Sequence, residues 1–343
     1  MRAIILAGGK GTRLRPITLY TPKPIVPIAN RPLLAYQLEL LKRAGVRDVI
    51  ISLSYQPQRI EHSFIDGSDY DVNISYKIEA SPQGTAGAYR NAAPDRETAI
   101  VLNGDIITDV DLNKVISFHR ERGAAATIVL VPAPDPTEYG MVEADDQGRI
   151  VRFLEKPKPE EVSSNTVNAG IYVLEPKVLD YIPEDEPFTF EYGVFPKMRE
   201  RGEPLYGYLW EGYWCDVGTP ASYLRANLDA LAGKVKMLDK PAPAIGQKFD
   251  PRIEIDDLSV VDPSCTIKAG AQIINSAIGR NCYIEERALI EGSIIRSGSR
   301  IGAGATVRGS VVGQGCHIGR SACAINSVLG DKSVLTDYSQ TQL

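Results

Sequence analysis

The densest run of residues able to do chemistry lies near the start of the chain, Leu6-Ala7-Gly8-Gly9-Lys10-Gly11-Thr12-Arg13-Leu14-Arg15-Pro16. Glycines lack a Cβ, so backbone N–H groups there can converge on an anion. Lys10, Arg13 and Arg15 add cations, and the segment reads as a phosphate-binding loop. Two familiar phosphate motifs are excluded. No Gly-Lys-Ser/Thr ending is present, and Gly8-Gly9-Lys10-Gly11 has the wrong spacing for a dinucleotide fingerprint. Lys23 lies between Pro22 and Pro24 on a stiff segment, where its local pattern fits a solvated lysine equally well. Asp105 follows an apolar run in Asn103-Gly104-Asp105, a pattern that also fits a plain turn. Asp216 follows in Trp214-Cys215-Asp216-Val217-Gly218. His62, His119 and His317 show no metal-ligand spacing, and His119 sits in a helical pattern that gives it a structural role. No nucleophilic side chain is advertised.

Positioning these residues requires a scaffold. Arg2–Ala7, Asp48–Leu53, Asn73–Ile78, Ile100–Leu102 and Thr127–Val131 read as strands buried on both faces. Pro32–Ala44 reads as a helix stopped by Gly45. Such alternation predicts a mostly parallel sheet covered by helices, with ligands at the carboxyl ends of its strands. A hairpin is expected from Tyr139–Ala144 and Arg149–Leu154 around Asp145-Asp146-Gln147-Gly148. Thr166–Val173 and Leu205–Trp210 add β structure, and Thr219–Ala232 is a helix ending at Gly233. This middle section extends the first domain, taken as residues 1–233, and a Pro-rich linker follows over 234–252.

Beyond the linker the chain repeats. Val261, Ile278, Ile295, Val312 and Leu329 fall 17 residues apart, as do Ile267, Ile284, Ile301, Ile318 and Leu335. Ile273, Ile290, Val307 and Ala324 form a third series, and Ser276, Ser293, Ser310 and Ser327 a fourth. Anchors spaced six, six and five apart are the signature of a β-helix with three-sided coils, expected over 253–336 with a tail at 337–343. Cys265, Cys282 and Cys316 share one slot with Ser299, which fits small core residues better than a metal ladder.

The phosphate loop, continued by Thr21-Pro22-Lys23-Pro24, resembles the signature of the sugar-1-phosphate nucleotidylyltransferases. Further blocks of that family recur in order: Gln83-Gly84-Thr85-Ala86-Gly87-Ala88, Asn103-Gly104-Asp105, Glu155-Lys156-Pro157, Asn168-Ala169-Gly170-Ile171-Tyr172 and Trp214-Cys215-Asp216-Val217-Gly218-Thr219-Pro220. Within the family the chain looks most like the GDP-mannose pyrophosphorylases, which often carry a left-handed β-helix after the catalytic domain. The resemblance implies an α/β fold: a Rossmann-like mixed sheet followed by a left-handed parallel β-helix. It implies nucleotidyl transfer from a nucleoside triphosphate to a sugar 1-phosphate, first GTP to mannose 1-phosphate. Glucose 1-phosphate with dTTP or ATP, or another sugar or cyclitol phosphate, stays open, because Gln83-Gly84 departs from the Leu-Gly common in the eukaryotic-like GDP-mannose enzymes. Residue by residue, it implies that Leu6, Gly8, Gly9, Gly11, Thr12, Arg13, Gln83 and Gly84 bind the nucleotide. Gly140, Glu155, Lys156 and Asn168 would bind the sugar phosphate, and Arg13, Lys23, Asp105 and Asp216 would carry catalysis. Asp105 and Asp216 would hold Mg²⁺, which prefers hard oxygen ligands.

Composition bounds the rest. With 343 residues, two domains are expected, and a net charge of −5 argues against a nucleic-acid partner. No apolar run is long enough for a signal peptide or membrane span, and five unspaced cysteines fit a reducing, cytoplasmic setting. A catalytically silent regulatory subunit is disfavoured, because Arg13, Lys23, Asp105 and Asp216 are all present. A bifunctional acyltransferase using His317 would need a longer β-helix. The repeat is expected instead to drive homo-oligomer assembly, and a chain cut after Lys234 to keep some activity wherever it stays folded.

Overall fold

A computed structural model of the protein describes residues 1–93, 95–184, 186–236 and 250–342, and most of the expected linker lies outside these residues. The chain forms two compact units. The first comprises Met1–Gly9 and Leu34–Trp214, the second Lys10–Leu33 and Cys215–Leu343.

The first unit is built on a mixed sheet. Its strands are β1 (Arg2–Leu6), β2 (Asp48–Leu53), β3 (Asn73–Ile78), β4 (Ala99–Asn103), β5 (Ala126–Pro132), β6 (Gly140–Ala144), β7 (Ile150–Glu155), β8 (Thr166–Leu174) and β9 (Leu205–Leu209). Their order is β7-β6-β8-β4-β1-β2-β3, with β5 pairing β8 and β9. Strands β4, β1, β2 and β3 run parallel. Antiparallel β8 then joins this parallel half to the hairpin of β6 and β7. The expected strands are present, and the middle section does continue the first sheet. Only the burial of Asn73–Ile78 differs from expectation. It is the edge strand, and most of its side chains are exposed, so its β-branched residues reflect pleat preference and not a two-sided core.

Helices α1 (Leu33–Arg43), α2 (Pro57–Phe64), α3 (Gly84–Ala92), α4 (Leu112–Glu121) and α5 (Phe195–Glu200) accompany the sheet. Residues Phe190–Val194 form a π-helical turn leading into α5. Phe190, Phe195 and Tyr172 pack ring against ring beneath it, and all three are fully buried. His119 is buried too, between Thr127 Oγ1 at 2.8 Å and Glu175 Oε1 at 3.1 Å, which is the structural role its pattern implied.

In the second unit, the repeat folds into three parallel sheets of six, five and five short strands. Each strand pairs with the one 17 residues further on, in register, the arrangement of a left-handed parallel β-helix. The aliphatic series stack as one fully buried column, each anchor contributing about 1.5–3 kcal/mol of burial. Serine recurs at one corner for a specific reason. Ser293 Oγ donates to Glu291 O at 2.7 Å and accepts from the Ser310 N–H at 3.0 Å, and Ser276 and Ser310 repeat the pattern. Cys265, Cys282 and Cys316 are buried free thiols, each directed at a carbonyl of the following coil. The stack runs further than the sequence period suggested, because Gln340–Gln342 pairs with Cys323–Ile325 inside the expected tail. Helix α6 (Pro220–Leu231) and Lys10–Leu33 complete this unit, tied by Tyr223 Oη donating to Pro27 O and the Ala29 N–H donating to Asn227 Oδ1, both at 2.8 Å.

Candidate active site

In the first unit, strand ends gather most of the residues singled out above. β1 ends at Leu6, and its continuation through Ala7 and Gly8 runs beside the end of β4. The Gly104 N–H donates to Leu6 O at 2.8 Å, and a Cβ on Gly104 would stand 2.8 Å from that oxygen. Glycine is therefore required there, and Asp105 emerges half-buried immediately after it. Gly9 is open, with no atom within 4 Å of where a Cβ would be.

Glu79, a residue whose local sequence gives no signal, underlies the loop. Its carboxylate is buried and accepts from Ser52 Oγ at 2.8 Å and from the Gln83 N–H at 3.1 Å. A Cβ on Gly8 would approach it to 3.1 Å. Glu79 thus couples the glycine loop to the start of α3. Gly84 has φ +73°, and a Cβ on it would lie 2.4 Å from Phe188 O. That same oxygen accepts from the N–H groups of Ala86 and Gly87. The Gln83 side chain donates to Ser81 O and Oγ, which holds its amide at the mouth of the helix.

The second cluster of this unit lies on the hairpin and β8. Gly140 and Glu155 face each other in register. A Cβ at Gly140 would meet Glu155 Oε2 at 2.6 Å, so only glycine leaves room for that carboxyl. Burial, with the Glu191 charge nearby, pushes the Glu155 carboxyl up to about 7, against the pull of Lys156. Lys156 follows with φ +49°, exposed, its N–H bonded to Tyr139 O. Asn168 Nδ2 donates to Tyr172 Oη at 2.9 Å, and its Oδ1 accepts from the Gly170 N–H at 2.9 Å. These bonds aim the amide and leave it one hydrogen and one lone pair for a ligand. Glu191 belongs to the same cluster. Thr85 Oγ1 donates to it at 2.8 Å, and burial raises its carboxyl despite hydrogen bonds from its own backbone, Thr85 and Tyr172. Sequence reading missed Glu191, because a lone Glu between aromatic residues carries no motif; the π-helical turn is what brings it here.

The second unit holds the remaining group. A turn at Thr12–Leu14 presents Arg13, exposed, and a turn at Lys23–Ile25 presents Lys23. Lys23 is not a solvated surface lysine, since only 9 % of its side chain is accessible. Its Nζ lies 4.0 Å from Asp216 Oδ1, and Arg13 Nη2 lies 3.8 Å from Asp216 Oδ2. At that separation the carboxylate feels both cations while its oxygens remain approachable. Gly218 keeps the space clear, for a Cβ there would sit 2.7 Å from Asp216 Oδ2 and 3.2 Å from Arg13 Nη2. Gly11, with φ +60°, closes the loop by accepting from Thr18 Oγ1 at 2.6 Å. Thus Gly11, Thr12, Arg13, Lys23 and Asp216 belong to this unit, and the other site residues to the first. Among the described residues, no group of three or more His, Cys, Asp and Glu forms a metal cluster. The residues suited to a divalent cation are the two half-buried aspartates, both offering hard oxygens. No helix among the described residues is long and apolar enough to cross a membrane.

Comparison with known proteins bears on what these groups act upon. The family described as Nucleotidyl transferase matches residues 2–233, and the GMPPB C-terminal domain matches residues 255–340. A mannose-1-phosphate guanylyltransferase of Mycobacterium tuberculosis is 38 % identical over 274 residues, covering 79 % of this chain and 74 % of its own. A UTP–glucose-1-phosphate uridylyltransferase of Synechocystis is 34 % identical over 320 residues, covering 81 % and 82 %. Among solved structures, HddC of Yersinia pseudotuberculosis complexed with GMP-PN superposes with a TM-score of 0.57 at 31 % identity, covering 66 % of this chain and 97 % of that one.

Proposed function

The chain belongs to the nucleotidyl transferase family, and on that premise we propose that it condenses GTP with mannose 1-phosphate to give GDP-mannose and pyrophosphate. The observation that carries the reaction class is the cationic pair Arg13 and Lys23 flanking Asp216 beside a glycine loop. For the substrates, support comes from the guanylyltransferase relative and from the match of the repeat to the GMPPB C-terminal domain. The uridylyltransferase relative makes UTP with glucose 1-phosphate the second reading.

In this reaction a phosphate oxygen of the sugar phosphate attacks the α-phosphorus in line. The new P–O bond forms as the bond to the β-phosphate oxygen breaks, and pyrophosphate leaves with that electron pair. Both reactants are anions, so the protein's task is neutralisation and alignment. Arg13 takes the triphosphate with its planar fork. Lys23, desolvated and held between prolines, meets the charge that moves onto the leaving pyrophosphate. The N–H groups from Leu6 to Thr12 line the phosphates, and Gln83 and Gly84 face the base. Lys156 holds the sugar phosphate, Glu155 accepts a sugar hydroxyl, and Gly140 and Asn168 supply an N–H and an amide. Enzymes of this family generally work with a divalent metal. Asp105 and Asp216 would hold Mg²⁺, which when bound neutralises phosphate charge.

We place homo-oligomer contacts on the β-helix, whose coils expose Leu258, Ile274, Val334 and Tyr338 and whose terminal strands leave open edges. The test of function is a matrix of GTP, UTP, dTTP and ATP against mannose 1-phosphate and glucose 1-phosphate, read by pyrophosphate release. The highest kcat/KM is expected for GTP with mannose 1-phosphate. A higher value for any other pair would replace this assignment.

A further inference from the structure

One residue breaks the grammar of the repeat. At 17-residue intervals around Arg296 stand Gly279, Gly313 and Gly330. Glycine is demanded at those slots: a Cβ on Gly279 would lie 2.9 Å from the Ser297 backbone nitrogen, and one on Gly313 only 2.6 Å from that of Asp331. Arg296 nonetheless occupies the equivalent place, and only 1 % of it is exposed. Burying a guanidinium is costly unless every part of it is used.

The bonds of Arg296 lead to the segment between Arg13 and Lys23. Nη1 donates to Ile17 O at 3.0 Å and pairs with Asp331 Oδ1 at 3.2 Å, while Nη2 donates to Thr21 Oγ1 at 2.7 Å. Asp331 is itself fixed, its side chain 4 % exposed and its Oδ1 accepting from the Gln314 N–H at 2.8 Å. A neighbouring coil is shaped to the same segment, for a Cβ on Gly330 would come within 3.0 Å of Pro16 Cβ. Asn30 Nδ2 adds a further tie, donating to Ile278 O at 2.8 Å. These contacts bracket a segment whose two ends carry the cations facing Asp216.

We infer that Arg296, with Asp331, is a positioning residue, through which the β-helix sets Arg13 and Lys23 in register with the triphosphate. A planar fork bound to a carbonyl, a hydroxyl and a carboxylate fixes orientation as well as distance. An ion pair serving only as internal glue would have no need of Ile17 O and Thr21 Oγ1. The role rests on the nucleotidyl-transfer reading above.

The test uses the full-length chain in three variants. Thr21→Val removes one bond to the loop and keeps the ion pair. Arg296→Met with Asp331→Asn removes the tie without stranding a buried charge. Arg296→Lys restores a cation without the fork. In Thr21→Val and the double variant, kcat should fall roughly 10-fold or more and the nucleotide KM rise, with the sugar-phosphate KM unchanged, because misplacement of about 1 Å can cost two orders of magnitude. Arg296→Lys should recover part of the loss. Hydrogen exchange at the N–H groups of Leu14, Ile17, Ile25 and Val26, bonded within these turns, should speed up selectively, whatever the substrate. Folded variants with unchanged exchange, and with kcat within twofold of the parent, would overturn the inference. If the double variant does not fold, Thr21→Val decides alone. A parent inactive on every substrate pair would refute the functional reading and leave the exchange result to judge the tie.

Discussion

Glu155 makes the stability of the protein depend on pH in a direction opposite to that of most carboxylates. Its carboxyl rises from 4.5 to about 7, first through burial and then through the charge of Glu191. Between those values the folded protein keeps a proton that the unfolded chain has lost. Stability contributed by this group is therefore complete below pH 4.5, declines as pH rises, and is gone above about 7. A rise of that size corresponds to about 3 kcal/mol between the two protonation states. Glu155 keeps some contact with solvent, and screening reduces the expected effect to roughly 1–2 kcal/mol. Glu155→Gln removes the ionisation and approximates the protonated shape. Urea denaturation of parent and variant at intervals from pH 4.5 to 8 should give matching stabilities at the acid end. Toward pH 8 the variant should be the more stable, while its sugar-phosphate KM rises for want of a carboxylate. Parallel stability curves across the range would refute the argument, since they would mean that Glu155 titrates alike in both states.

Asp105→Asn and Asp216→Asn should each lower kcat by at least about 100-fold, ~3 kcal/mol of transition-state stabilisation, with unchanged circular dichroism; turnover within tenfold of the parent would remove that residue from the metal site. Lys156→Ala should raise the sugar-phosphate KM more than the nucleotide KM, whereas Lys23→Ala should depress kcat, a division that steady-state kinetics with each substrate varied can contradict directly. Gly84→Ala should cost roughly 1–3 kcal/mol in thermal unfolding and weaken nucleotide binding, because its φ is +73° and its Cβ would collide with Phe188 O; an unperturbed melting temperature would contradict that strain.

Much of this was legible beforehand, and the reasons are specific. The repeat announced itself because one side-chain environment recurs every 17 residues, so three independent aliphatic series had to agree. Strand β4 and Asp105 were legible because an apolar strand followed by Asn-Gly can end in few ways. The hairpin of β6 and β7 was marked by its turn residues. Glu79 and Glu191 were not legible, since each acts through a partner distant in sequence, Gln83 being bonded to one and Thr85 to the other. The burial of Lys23 was hidden for the same reason. Local pattern describes a residue's neighbours along the chain, while desolvation depends on what packs over it.

Arg296 shows where a repeat is most informative. In a regular β-helix each slot has a reason to stay constant, glycine here being forced by the backbone of the next coil. A large cation at such a slot opposes local packing, so something outside the repeat must favour it. The contacts supply that reason in Ile17 and Thr21. They also change what truncation should do. Sequence reading treated the repeat as separable, so that a chain cut after Lys234 would keep activity. Yet Lys10–Leu33 packs with Cys215–Leu343 as one compact unit, and the cut removes Arg296, Asp331 and the carbonyl of Ile278 together. The shortened chain should therefore retain Asp105, Asp216 and both lysines while losing most of its turnover, and a fragment that stays folded at full specific activity would show that α6 alone holds the loop.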